Sequence, residues 1–160
     1  AYHKLGENFL KGERINDAMH YFEQVLRIEG KNEDALFNLA LCHTQLENYE
    51  EAEKYFQLAI EKAPDEPRFW LQYALQKTIF GDPKAALDIL DEGDDYCDSN
   101  FFDACRVVCY YKAGMHQQCY TKLQHLLIKD GSVADWITTA CPELLTDVKY
   151  APLFSENYEH

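Results

Sequence analysis

The chain has 160 residues, 47% of them hydrophobic and 27% charged, and carries a formal net charge of −13. That is enough length and apolar content to bury a core of ordinary globular size, while the negative mean field disfavours polyanions, so no nucleic acid and no membrane is expected as a partner. No apolar stretch approaches the roughly 20 residues of a spanning helix, and the opening AYHKLGENFL has neither the basic start nor the apolar run of an export signal. The missing initiator methionine fits a processed product or an excised segment. Cysteines 42, 97, 105, 109, 119 and 141 sit inside apolar helical patterns rather than glycine-rich loops, so a reducing, cytoplasmic setting is expected over secretion.

Apolar residues recur at three- and four-residue steps and no segment alternates like a strand, which predicts an all-α chain. Helices are predicted near 1–13, 16–29, 33–46, 50–62, 67–80 and 84–93. Lys62-Ala63-Pro64 ends one helix and Pro67 opens the next. Gly81-Asp82-Pro83 then supplies a turn, an N-cap and a first-turn proline in order.

The chain repeats itself. Ala18-x3-Phe22, Ala52-x3-Phe56 and Ala86-x3-Leu90 are offset by 34 residues, and Leu5-Gly6, Leu39-Ala40 and Tyr73-Ala74 keep the same period, the mark of stacked helical hairpins. Small residues at Gly6, Ala40, Ala74, Ala18, Ala52 and Ala86 let helices cross closely, and Phe22, Phe56 and Trp70 fill the spaces between hairpins.

These residues resemble the tetratricopeptide repeat. The second copy matches best, through Leu36, Leu39, Ala40, Tyr49, Ala52, Phe56, Ala59 and Pro64, and in the third Gly93 replaces the usual late alanine. The resemblance implies a right-handed superhelix of antiparallel helix pairs, with repeats at about 1–32, 33–66 and 67–100, a degenerate copy at 101–131, and a cap with a tail over 132–160. Trp70-x2-Tyr73-Ala74 also resembles the half-a-tetratricopeptide repeat of RNA-processing scaffolds, against which the acidity and the second copy count.

The degenerate copy keeps Ala104, Val107, Val108 and Tyr111 in register, while Cys119 and Leu123 fall one residue short, implying a one-residue deletion near Gly114. Cys105, Cys109, His116 and Cys119 lack the close paired spacing of structural zinc sites and do not converge, so no metal is expected, and Cys119 reads as a small hydrophobe at the helix crossing. The run Asp91-Glu92-Gly93-Asp94-Asp95 lacks the ligand order of a calcium loop and is expected as a solvated helix end. Trp136, Ile137, Leu144, Leu145, Leu153 and Phe154 are expected to pack two capping helices, with Pro142 starting the second.

No phosphate-cradling, dinucleotide, zinc-protease or serine-hydrolase motif occurs, so a non-catalytic chain without cofactor is expected, and His43 is expected as a packed residue. The family resemblance implies a concave groove lined by His3, Glu7 and Lys11 in the first repeat, Phe37, Asn38, Leu41 and Gln45 in the second, and Arg68, Leu71, Gln72 and Leu75 in the third, with Cys105 and Cys109 on the same face of the fourth. Phe37, Leu41, Leu71 and Leu75 would form an apolar stripe of the kind that marks interaction sites. Of the carboxylate-clamp positions that grip chaperone tails, only Asn38 and Arg68 are compatible and Glu7 opposes. The expected function is a scaffold or adaptor that binds a basic or mixed apolar and basic peptide segment. The alternative is self-assembly, in which a second copy in a homodimer, or the chain's own cap, fills the groove.

Overall fold

The computed structural model describes residues 14–158; the helix predicted over 1–13 lies outside them. Among the described residues the chain is all-helical, with no strand, and it divides into two compact units at Tyr73 and Ala74.

The first unit holds α1 (Ile15–Glu29), α2 (Glu33–Gln45), α3 (Tyr49–Lys62) and the start of α4 (Pro67–Phe80). α2 packs on both α1 and α3, and the places that the repeat reserves for packing are the buried ones: Ala18, Phe22, Leu39, Ala40, Ala52, Phe56 and Ala59 are all at most 1% exposed. The Asn32 side chain caps α2 by accepting the Ala35 N–H at 2.9 Å.

The second unit holds the rest of α4, then α5 (Pro83–Asp94), α6 (Asn100–Lys112), α7 (His116–Lys129), a 3-10 turn (Gly131–Val133), α8 (Ala134–Ala140), α9 (Glu143–Thr146) and α10 (Ala151–Tyr158). Asp82 caps α5 through the Lys84 N–H at 2.9 Å with Pro83 in the first turn. The helix boundaries preserve the period. The N-cap positions of α1, α3 and α5 are residues 14, 48 and 82, and that of α7 is 115 rather than 116. The N-cap of α6 is Ser99, one residue short of two periods after Asn32, the N-cap of α2, so the missing residue precedes α6 rather than lying near Gly114, and Cys119 and Leu123 are both fully buried despite it.

Equivalent hairpin turns close in the same way. Asn48 N–H donates to His43 O and Met115 N–H to Tyr110 O, each at 2.8 Å, the six-to-one bond of a Schellman ending. The left-handed position is Gly114 at φ 75° in one turn and Glu47 at φ 62° in the other, so only the first is free of the Cβ penalty.

The segment after residue 130 covers α6 and α7. Val133, Ile137, Cys141, Leu144, Tyr150, Leu153 and Phe154 form one cluster with Val107, Val108, Leu123 and Leu127. Three α-helices occur here where two were expected, because Pro142 and the Asp147 to Tyr150 turn each interrupt the chain. Leu145 is 47% exposed and does not belong to the core, whereas Tyr150, only 1% exposed, does.

The carboxylates at the acidic end of α5 are exposed, as expected, and two of them also pair with a cation. Arg106 of α6, its side chain only 11% exposed, donates to Asp91 at 3.0 Å, to Asp103 at 2.9 Å and also to Asp94. The guanidinium forks across carboxylates that would otherwise repel one another. Arg106→Ala should lower stability by about 1–2 kcal/mol, kept modest by solvent screening of the outer carboxylates. The loss should shrink in high salt, as a urea titration with and without added sodium chloride would report.

Candidate partner-binding surface

The first unit places part of the expected surface on α2 and α4. Asn38, Leu41 and Gln45 are spaced three and seven apart on α2, so they share one face, as do Arg68, Leu71 and Gln72 along α4, whereas Leu75 belongs to the second unit. The helices meet in register. Arg68 donates to Asp34 Oδ1 at 3.0 Å, a contact between residues one 34-residue period apart.

Leu41, Leu71, Gln72 and Leu75 are half-buried and Gln45 is exposed. Asn38 is only 8% exposed, and its amide makes no hydrogen bond to a described residue. His3, Glu7 and Lys11 lie outside the described residues.

Three expected surface positions are corrected. Phe37 is not part of an open stripe. It is buried, with its ring 4.9 Å from that of Phe69 and 5.9 Å from that of Phe56, because α2 is nearly enclosed between its neighbours and little of its circumference is left for solvent. Cys105 and Cys109 are both 0% exposed. Both thiols are free; their interaction raises the Cys105 pKa and lowers that of Cys109, and Cys109 also contacts the Thr78 hydroxyl at 3.0 Å. Burial pushes the Cys42 and Cys141 thiols up to about 12 and Cys119 to about 11, which leaves them protonated and poor nucleophiles at neutral pH.

Arg68 has partners of its own. Besides Asp34 it reaches Glu66 at 3.3 Å, and its guanidinium lies 5.6 Å from the Phe37 centroid and 5.5 Å from that of Phe69. The single-sequence reading missed Asp34, although its spacing from Arg68 equals the repeat period and could have shown the pair. His43 stacks flat on Tyr55 at 5.3 Å, and its buried Nδ1 has no hydrogen-bond partner among the described residues. Among the described residues no group of three or more His, Cys, Asp or Glu is placed to hold a metal, and no helix is long and apolar enough to cross a membrane.

An all-α chain whose hairpins recur every 34 residues, with small residues buried at the crossings, is a helical-repeat protein. Residues 9–76 match the family model of the tetratricopeptide repeat, and the chain carries such repeats there. Solved structures agree on the fold. The type IV pilus biogenesis factor PilW is similar at TM-score 0.73 and 17% identity, over 99% of this chain and 77% of its own. A thermophilic tetratricopeptide-repeat protein of Thermus thermophilus gives 0.73 and 17%, over 99% and 87%. MamA of Desulfovibrio magneticus RS-1 gives 0.69 and 13%, over 99% and 92%. No curated protein matches the sequence.

Proposed function

We propose that the chain is a non-catalytic interaction module, a scaffold or adaptor, whose first unit receives a partner segment across Asn38, Leu41 and Gln45 of α2 and Leu71 and Gln72 of α4. Proteins of this repeat family generally mediate protein–protein contacts, and the fold itself supports no one partner. The observation that carries the reading is that Asn38 and half-buried Leu41 share one face of α2, as half-buried Leu71 and Gln72 do on α4. The Asn38 amide makes no hydrogen bond to a described residue, so it offers both a donor and an acceptor to an extended peptide backbone. Leu41 and Leu71 would flank that contact and supply apolar anchorage.

The net charge of −13 favours a partner with basic residues among its apolar ones and speeds its capture at low salt. Residues 1–131 would then be the repeat array and 132–160 its terminal cover, a role in keeping with the apolar cluster that the later helices share with α6 and α7.

Selection from a library of displayed basic and apolar peptides tests the reading, with affinities measured by fluorescence anisotropy. Leu41→Glu and Leu71→Glu should each weaken a selected peptide about tenfold or more, since a buried leucine contributes about 1.5–3 kcal/mol, while far-ultraviolet circular dichroism stays unchanged. Peptides bound equally by both variants would place recognition elsewhere. A dimer in light scattering that the same substitutions split would assign the leucines to self-assembly.

A further inference from the structure

The strongest unassigned feature lies in the second unit, away from the α2 and α4 surface. An open cleft of about 580 Å³ is lined by Tyr110 of α6 and by Gln117, Gln118, Thr121, Lys122 and His125 of α7, a volume within the range of small-molecule sites. All six described lining residues carry a hydrogen-bonding group and none is a carboxylate, in a chain where Asp and Glu outnumber Lys and Arg by 28 to 15. The side chains of Gln117, Gln118, Thr121 and His125 make no hydrogen bond to a described residue. Lys122 has one neighbouring acid, Asp103 at 3.5 Å, which leaves ammonium protons for another acceptor.

The helix explains why these groups converge. Gln117, Thr121 and His125 are four residues apart and Gln118 and Lys122 flank them, so they form one face of α7, while Cys119, Leu123, Leu126 and Leu127 turn into the core. The first turn of α7 contains no acidic residue that would repel an anion.

We infer that this cleft binds a phosphoryl group, carried by a small metabolite or as the free ion. Two amides, a hydroxyl, an ammonium and an imidazole are a donor set suited to the several oxygens of a tetrahedral anion, and bonds to a charged acceptor are the stronger kind. A carboxylate, with two oxygens in one plane, would leave more of these donors unused.

Nuclear magnetic resonance of the isotopically labelled chain tests the inference, with inorganic phosphate, glycerol 3-phosphate and glycerol as probes. Saturable shifts confined to the end of α6 and the first three turns of α7 are expected with both phosphates and not with glycerol. Tighter binding of the ester would assign the site to a metabolite, and equal binding to the free ion. Gln118→Glu, on an exposed position that leaves folding intact, and Lys122→Gln should each weaken binding about tenfold, the loss of one charge-assisted contact. The absence of saturable shifts, or equal shifts in both variants and the parent, would overturn the site.

Discussion

Phe56→Ala is expected to destabilise the first unit by about 3–5 kcal/mol, the range for deleting a buried aromatic ring. Phe56 is 1% exposed. Its ring stacks on Tyr73 at 5.8 Å and tilts against Phe37 at 5.9 Å, so one side chain of α3 fills the space between α2 and α4. The tyrosine is fixed in turn, since its hydroxyl donates to Glu53 at 2.6 Å and accepts from Gln57 at 3.2 Å. These bonds hold the ring in place and limit how far the site can collapse onto a cavity.

Phe56→Leu keeps much of the volume and should cost less than half as much. The chain has two tryptophans, Trp70 before the division at Tyr73 and Trp136 after it. Urea unfolding of a Trp136→Phe background therefore reads the first unit through Trp70 alone, and equal midpoints for Phe56→Ala and the parent would refute the assigned role.

The repeat made the core legible. Ala18, Phe22, Ala40, Ala52, Phe56, Ala74 and Ala86 of the 34-residue ladder are all buried, because the small-residue rule concerns how closely two backbones approach and is indifferent to partner or pathway. Helix ends were legible for a similarly local reason, as the Asp82 and Pro83 start of α5 shows.

The surface was less legible. Phe37 differs from Leu41 by one helical turn, but whether a position faces solvent depends on how closely the neighbouring helices wrap around it. Periodicity within one helix does not carry that information. Cys105 and Cys109 failed for the same reason, since α6 is covered on more sides than an early repeat helix would be. Tyr150 was missed because the terminal segment follows no repeat, and its burial comes from tertiary contacts that leave no spacing signal.

Tyr150 is nevertheless the residue on which attachment of that terminal segment should depend most. Tyr150→Ala is expected to cost about 3–5 kcal/mol. The side chain is 1% exposed and one of the largest fully buried in the chain, with rings of Tyr111 at 5.5 Å, Tyr120 at 6.0 Å and His116 at 6.2 Å around it. Its hydroxyl lies 3.1 Å from His116 O and 3.0 Å from His116 Nδ1. One hydroxyl proton cannot serve both acceptors, so with the carbonyl taking it the imidazole must donate from Nδ1. The pairing ties the turn before α10 to the first residue of α7, and Asp147, which accepts from Tyr111 at 3.2 Å, adds a second tie.

Removing only the hydroxyl separates polar from apolar contributions. Tyr150→Phe keeps the ring and should cost about 1–2 kcal/mol, the value of a lost hydrogen bond with its imidazole partner still able to find water. Trp136 fluorescence in a Trp70→Phe background reports both variants. A Phe variant as damaging as the Ala variant would mean that the hydroxyl pairing, rather than ring burial, fastens the terminal helices. A harmless Ala variant would mean that they are held independently of Tyr150.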